Sequence, residues 1–446
     1  MDEKKEYGLV LSGGGTKGAF EIGVWKALQE MDTPISCVIG TSIGALNAAL
    51  IAQNDFDAAY DFWTNLTINQ VLKLNTTMVN KYLNHWSGAS FDFFRLAFIN
   101  DLFRGGLDIS PLRENLSRLI DEDKIRKSPI RLGLVTVELN TLSPTQLMIE
   151  EIPQGKLLDY LLASAALPVF QRQEIDGKTY LDGGFYDNVP INFMASSGYK
   201  NIISVEFPAI GFKQRVEHND IHLTVVENSE YLGMTLEFDQ ETIRNNIEMG
   251  DLDCKKTFGQ LLGKYYYFNT ASGTQFYEKL AEFMGSPLED VNARQEVAML
   301  LGIPENSKKD TIVMAIANVL RRTNYPKDEP PLLVLLEMAG RSLGVERMAA
   351  YTPDRFLLAI LTALETLTRS NLAFIKRDDT IKKAFDADNN YRPGSLFDFI
   401  SFYVLFVGSS KDLPIPTIRT LIKKFTPEFT LSILLLIYLH QLLRKK

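Results

Sequence analysis

The feature that most constrains this chain is an alternation over its first 210 residues, where short apolar runs take turns with amphipathic helical stretches. Tyr7-Gly8-Leu9-Val10-Leu11 is apolar and runs into glycines, the pattern of a buried strand. From Lys17 to Met31, the residues Phe20, Val24, Ala27, Leu28 and Met31 fall on one helical face. Cys37-Val38-Ile39 predicts a second buried strand and Ile43 to Gln53 a helix rich in Ala and Leu. Arg131 to Val137 and Asn201 to Phe207 predict further strands, and Asp176-Gly177 between two strand-like runs is a strong hairpin signal. Strands separated by helices imply an α/β fold, a mostly parallel sheet sandwiched by helices.

The alternation stops between about 56 and 120. That stretch is aromatic-rich (Phe56, Tyr60, Phe62, Trp63, Tyr82, Trp86, Phe91, Phe93, Phe94, Phe98 and Phe103) and predicts inserted helices, one opened by Ser110-Pro111. Beyond about 270 the pattern is helical throughout, broken at Pro326, Pro330 and Pro331, at Pro393-Gly394, and at Pro414 and Pro416. With 446 residues, two to three compact units are expected. The reading is a domain over 1–270, with its motif-bearing core at 7–210, followed by an all-α domain over 271–446.

Composition excludes several classes. A chain 46% hydrophobic and 23% charged is neither a disordered tail nor a multi-spanning membrane protein. Its formal net charge of −8 gives no general pull toward nucleic acid, and no nucleic-acid partner is expected. Cys37 and Cys254 are too few and too far apart for a disulfide scaffold or a metal cluster. The charged start, Met1 to Glu6, shows no secretory signal, so a cytoplasmic location is expected.

Three motifs carry chemistry. Gly13-Gly14-Gly15-Thr16-Lys17-Gly18 lies between a strand and a helix, so its backbone N–H groups and the helix terminus suit a phosphate or an oxyanion. Gly13, Gly15 and Gly18 match the dinucleotide spacing. The acid that fingerprint wants after the next strand is missing, however, because that strand ends in Gly40-Thr41-Ser42. A Walker loop fails because Lys17 is followed by Gly18. The second motif, Gly40-Thr41-Ser42-Ile43-Gly44, stands between a strand and a helix, the context of a nucleophile elbow. The third, Asp182-Gly183-Gly184, closes the hairpin strand. An oxyanion loop, an activatable serine and an aspartate, each at a strand end, are the parts needed for acyl transfer.

In this combination and order the sequence resembles the patatin-like phospholipases. Gly13–Gly18 is similar to that family's oxyanion-hole loop, Gly40–Gly44 to its serine elbow and Asp182–Gly184 to its Asp-Gly-Ala/Gly element. Ala163-Ser164-Ala165-Ala166-Leu167-Pro168-Val169-Phe170 and Asn188-Val189-Pro190 are softer matches. The likeness covers roughly residues 7 to 210, extending at most to about 258; the C-terminal region resembles no family. It implies a Ser–Asp dyad. Ser42 would attack an ester of a phospholipid or other acylglycerol, Asp182 would take its proton, and amides of the 13–18 loop would hold the oxyanion. Burial would have to raise Asp182 above its ordinary value of about 3.9 for it to serve as a base. No metal or organic cofactor is implied. The alternative is a regulatory or scaffold protein on the same fold whose helical domain binds a partner.

Other features leave alternatives open. His218 and His222 would complete the chain order of a Ser–Asp–His triad. The aromatic insertion either lines an acyl-chain groove or packs a core. The last 36 residues hold seven basic side chains against Asp412 and Glu428, so they carry +5 and the other 410 residues −13. Within them Thr430 to Leu443 is almost wholly apolar and precedes Arg444-Lys445-Lys446. At about 21 Å this segment is too short to span a bilayer. It reads either as a peripheral membrane contact drawn to anionic lipid or as a buried core helix.

Overall fold

The computed structural model describes residues 6–73, 106–269, 287–289, 291–323, 325, 331–375 and 434–435. The expectations for Tyr82 to Phe103, for the proline breaks at 326, 330, 393, 414 and 416, and for Arg444–Lys446 lie outside them. The chain divides into two compact units, Met1–Phe258 and Gly259–Lys446, a division ahead of the expected boundary near 270.

In the first unit the strands are β1 (Tyr7–Leu11), β2 (Ile35–Thr41), β3 (Arg131–Glu138), β4 (Ser143–Met148), β5 (Gln173–Ile175), β6 (Lys178–Asp182), β7 (Asn201–Glu206) and β8 (His222–Glu227). They form one eight-stranded sheet in the order β5-β6-β3-β2-β1-β7-β8, with β4 on β3. The neighbours β3-β2-β1-β7-β8 are all parallel, as the alternation predicts. The hairpin β5-β6 turns at Asp176 and Gly177, both with positive φ, the left-handed pair that an Asp-Gly turn supplies.

The helices are α1 (Ala19–Glu30), α2 (Ile43–Gln53), α3 (Phe56–Thr64), α4 (Ile68–Val71), α5 (Ser110–Leu119), α6 (Glu122–Arg126), α7 (Leu157–Ser164), α8 (Ile191–Ser196) and α9 (Gln240–Thr257). Helix α2 is buried from Gly44 to Gln53, which explains its lack of a polar face. Helix α9 packs on α1, with Lys26 Nζ 3.0 Å from Asp251 Oδ2, and that docking carries the first unit to Phe258. On one sheet face Val10, Cys37, Ile39 and Ile202 pack with Ile191 and Met194 of α8.

The second unit is helical, with α10 (Val291–Leu301), α11 (Lys309–Leu320), α12 (Pro331–Ser342) and α13 (Pro353–Ile375). It also carries a small sheet of β9 (Leu261–Leu262), β10 (Tyr267–Asn269) and β11 (Ala350–Tyr351), which helical periodicity does not announce. Its core gathers Phe268, Leu333, Leu336 and Phe356. Leu434 and Leu435 are fully buried in that core; the rest of the apolar segment at 430–443 lies outside the described residues.

Candidate active site

The site arises from a topological detail of β3. One edge of β3 is taken by β4 over Gly133 to Glu138. The other is shared: β2 pairs along it up to Thr41 opposite Val135, and β6 arrives from the opposite direction with Asp182 opposite Thr136. The carboxyl ends of β2 and β6 therefore meet head-on at consecutive positions of one strand, and the residues that leave them, Ser42 and Asp182, are placed together.

Ser42 occupies a strained turn, φ 57° and ψ −125°, between β2 and α2. The flanking glycines permit it by close approach. A Cβ at Gly40 would lie 2.1 Å from the Gly44 carbonyl oxygen, and one at Gly44 would lie 2.6 Å from that of Leu11. The Ser42 hydroxyl donates to Asp182 Oδ2 at 2.6 Å, and the Gly184 amide donates to Asp182 Oδ1 at 2.8 Å. Both side chains are buried, Ser42 at 7% and Asp182 at 3% exposure. Burial raises the Asp182 carboxyl to about 6, with the Ser42 hydroxyl and the Gly184 amide pulling in the other direction.

The two softer sequence matches supply the frame. Ser164 Oγ accepts from the Ser42 amide at 3.0 Å and donates to the Val135 carbonyl at 2.6 Å, and the Ala166 carbonyl accepts the Asp182 amide at 2.9 Å. Asn188 accepts the Gly13 amide on its carbonyl at 3.2 Å and returns Nδ2 to the Gly13 carbonyl at 3.1 Å. The glycine loop is thus fastened against the nucleophile turn, and a Cβ at Gly13 would come 3.0 Å from Ser42 Cβ. The Thr16 amide is taken by the Thr235 carbonyl at 2.8 Å, and Lys17 Nζ reaches the Pro208 carbonyl at 2.7 Å. The amides of Gly14 and Gly15 have no partner among the described residues. Thr41 Oγ1 donates to the Asp187 carbonyl at 2.8 Å, Ile43 begins α2, and Gly183 packs under the Val135 carbonyl.

Sequence reasoning missed a buried polar network behind this loop. Glu21, fully buried on α1, accepts on Oε2 from Asn47 Nδ2 at 2.7 Å, while its Oε1 has no partner among the described residues. The same Nδ2 meets the Gly18 carbonyl at 2.9 Å, and Asn47 Oδ1 accepts Trp63 Nε1 at 2.9 Å. The Gly18 end of the glycine loop, Glu21 of α1 and Trp63 are joined through Asn47 of the nucleophile helix. Burial drives the Glu21 carboxyl well above its usual range, favouring the neutral acid. The available signal was a Glu and an Asn on otherwise apolar helix faces.

The histidines stand elsewhere. His222 opens β8 opposite Asn201, at the amino edge of the sheet, whereas Ser42 follows the carboxyl end of β2. Five or six residues at about 3.3 Å and three strand spacings of about 4.8 Å put them about 22–25 Å apart. His218 Nε2 lies 3.2 Å from Ser196 Oγ on the exposed end of α8. Among the described residues, no cluster of three or more His, Cys, Asp or Glu has the makings of a metal site.

Ser42 opens onto an apolar cleft of about 550 Å³, its open mouth included. Gly15 and Thr16 line it together with Leu46, Phe62, Trp63, Leu66 and Phe238. The described part of the aromatic stretch therefore contributes Phe62 and Trp63 to the cleft; Tyr82 onward lies outside the described residues.

A serine on a strained strand–helix turn, bonded to a buried aspartate and adjoining a glycine loop with unpartnered amides, has the parts of a serine acyl-transfer site. The chain matches the family model for patatin-like phospholipases over residues 9–195, and that segment is a patatin-like phospholipase domain. Patatin-like phospholipase domain-containing protein ZK370.4 of Caenorhabditis elegans is 29% identical over 221 residues, which cover 48% of this chain and 14% of that protein. Neuropathy target esterase sws of Drosophila melanogaster is 28% identical over 207 residues, 45% of this chain and 13% of that one. The match thus spans a small fraction of these relatives' own length. Among solved structures, VipD from Legionella pneumophila is similar with a TM-score of 0.38 at 14% identity, covering 92% of this chain and 93% of that one.

Proposed function

We propose that this protein hydrolyses carboxylic esters of phospholipids or related acylglycerols through a Ser42–Asp182 dyad. The observation that carries the reading is the 2.6 Å bond from the Ser42 hydroxyl to a buried Asp182 at the mouth of an apolar cleft. The acyl chain occupies the cleft and brings its carbonyl to Ser42. Asp182 takes the hydroxyl proton as Oγ attacks, and the tetrahedral oxyanion is met by the Gly14 and Gly15 amides, with Gly13, Thr16, Lys17 and Gly18 holding the loop in shape. Asp182 returns the proton to the departing alcohol. It then draws one from the water that attacks the acyl-serine, which releases the fatty acid and restores Ser42.

Ester-hydrolysing relatives support the class of reaction: neuropathy target esterase sws and lysophospholipase NTE1 of Mycosarcoma maydis are named for it. A scaffold that kept only the fold would not need the Ser42–Asp182 pair. Among the described residues no helix is long and apolar enough to cross a membrane. The peripheral contact through the basic apolar tail stays secondary, given the burial of Leu434 and Leu435.

The test is release of fatty acid from a panel of phospholipids, lysophospholipids and acylglycerols by the purified chain and its variants. Asp182→Asn should abolish turnover, while His218→Ala and His222→Ala, singly and together, should leave it within about twofold of the parent. A folded histidine variant as dead as one lacking Ser42 would overturn the dyad.

A further inference from the structure

We propose that the loops at the carboxyl edge of the sheet form a docking rim that seats the mouth of the Ser42 cleft on a neutral lipid–water surface. The rim is made of Phe185, Ile210, Phe212, Tyr231 and Met234. All five are exposed, Ile210 at 83%, Tyr231 at 73% and Phe212 at 63%. Single exposed apolar side chains are ordinary, but a concentration around one opening marks an interaction surface.

Hydrogen bonds fix these loops to the catalytic elements. The Phe212 amide donates to the Gly184 carbonyl at 2.8 Å, and the Asn188 amide donates to the Phe212 carbonyl at 2.6 Å. Pro208, two residues before Ile210, is held by Lys17 of the glycine loop. Thr16 Oγ1 donates to the Met234 carbonyl at 3.1 Å. The loop that exposes Tyr231 and Met234 continues into Leu236 and Phe238, which line the cleft. Apolar side chains therefore lead from Tyr231 and Met234 at the rim to Leu236 and Phe238 in the cleft that holds Ser42, a path by which a chain leaving a lipid assembly stays out of water.

Charge selects the kind of surface. Apart from the buried Asp187, the loops at 183–188, 207–217 and 228–239 carry Lys213 and Arg215 against Glu217, Glu230, Glu237 and Asp239. Two cations against four acids give an anionic bilayer no attraction, and attraction to one is what basic interfacial segments provide. The rim suits zwitterionic or uncharged lipid and a contact that salt does not weaken. The choice of lipid as occupant rests on the proposed hydrolase reading; the docking measurement does not depend on turnover.

The experiment is co-sedimentation of the full chain with phosphatidylcholine vesicles at low and high salt, using the parent, Ser42→Ala, Ile210→Asp, Phe212→Asp and Tyr231→Asp. The parent and Ser42→Ala should bind alike at both salt concentrations. Each rim variant should lower the partition coefficient about tenfold, the scale of one large apolar side chain kept out of lipid. Hydrolysis of a water-soluble short-chain ester should be unchanged in the rim variants, which shows that they fold and that the chemistry is intact. If Ser42→Ala binds while the parent hydrolyses no ester, the hydrolase reading falls and the rim stands. Rim variants that bind like the parent would overturn the proposal, as would a parent that stays in the aqueous phase. Binding that demands anionic lipid and fades with salt would also overturn it and point to the basic tail ending in Arg444-Lys445-Lys446.

Discussion

Replacing Asp182 by Asn should stabilise the protein at neutral pH while abolishing its activity. The carboxyl is raised from 3.8 to about 6 because its charge is buried. That is about two pH units, each about 1.4 kcal/mol, so holding Asp182 ionised costs the fold about 3 kcal/mol once the pH exceeds 6. The sign follows from the direction of the shift. Below the unfolded value the acid is neutral in both states and costs nothing; between about 4 and 6 the cost grows; above 6 it is fully present. Asn is close in shape to the neutral acid and keeps an oxygen for the Gly184 amide. The variant should therefore gain about 3 kcal/mol over the parent at pH 7 and lose that advantage near pH 4. The assay is urea denaturation of the full chain followed by tryptophan fluorescence. Trp25, Trp63 and Trp86 all precede residue 258, so the signal reports the unit that carries the site. An Asp182→Asn protein no more stable than the parent at pH 7, or equally displaced from it at both pH values, would refute the view that the fold holds this carboxylate charged at its own cost.

The same shift sets the pH–rate profile. The base must be ionised, so kcat/KM should be level above about pH 6 and fall about tenfold per unit below it, and a maximum near pH 5 would contradict an Asp182 base. Gly15→Ala should lower kcat about 10²–10³-fold with little change in KM. Its φ is +62°, and a Cβ there would lie 1.9 Å from the Thr235 carbonyl oxygen, so the loop must move; normal turnover would give the loop another role. Asn47→Ala leaves Glu21 and Trp63 without their shared partner and should cost about 3 kcal/mol by the fluorescence assay. Glu21→Gln keeps a neutral acceptor and should behave nearly as the parent; equal damage from both would show that Glu21 acts as a charge.

Strands β1, β2, β3 and β7 were legible because they are buried on both faces and so appear as continuous apolar runs, and the hairpin because Asp176-Gly177 is a turn with one conformational answer; β4 and β8, largely exposed, show no such run and were not foreseen. The three motifs were legible for a related reason: glycines at strand ends mark backbone that must turn sharply or pack closely. What brings Ser42 to Asp182 was not legible. It depends on β2 and β6 sharing one edge of β3, which brings together residues 140 apart in a way that no local pattern encodes. Ser164 and Asn188 were visible as family-like segments, but their hydrogen bonds to the Ser42 amide and to Gly13 are long-range facts. Glu21 and Asn47 looked like ordinary polar residues on helices because their burial comes from neighbours distant in sequence. In the second unit, two-residue strands such as Ala350–Tyr351 are too short to set a period, so only the helices were foreseen.

The central claim, that Ser42 is a nucleophile activated by Asp182, is tested most directly by mapping the adduct of a fluorophosphonate probe. The purified chain is treated at pH 7, digested and analysed by mass spectrometry. The account predicts one adduct on Ser42 and a labelling rate lower by at least about a hundredfold in Asp182→Asn, which retains the turn but not the base. An adduct on any other serine, or equally fast labelling of Ser42 without Asp182, would contradict it.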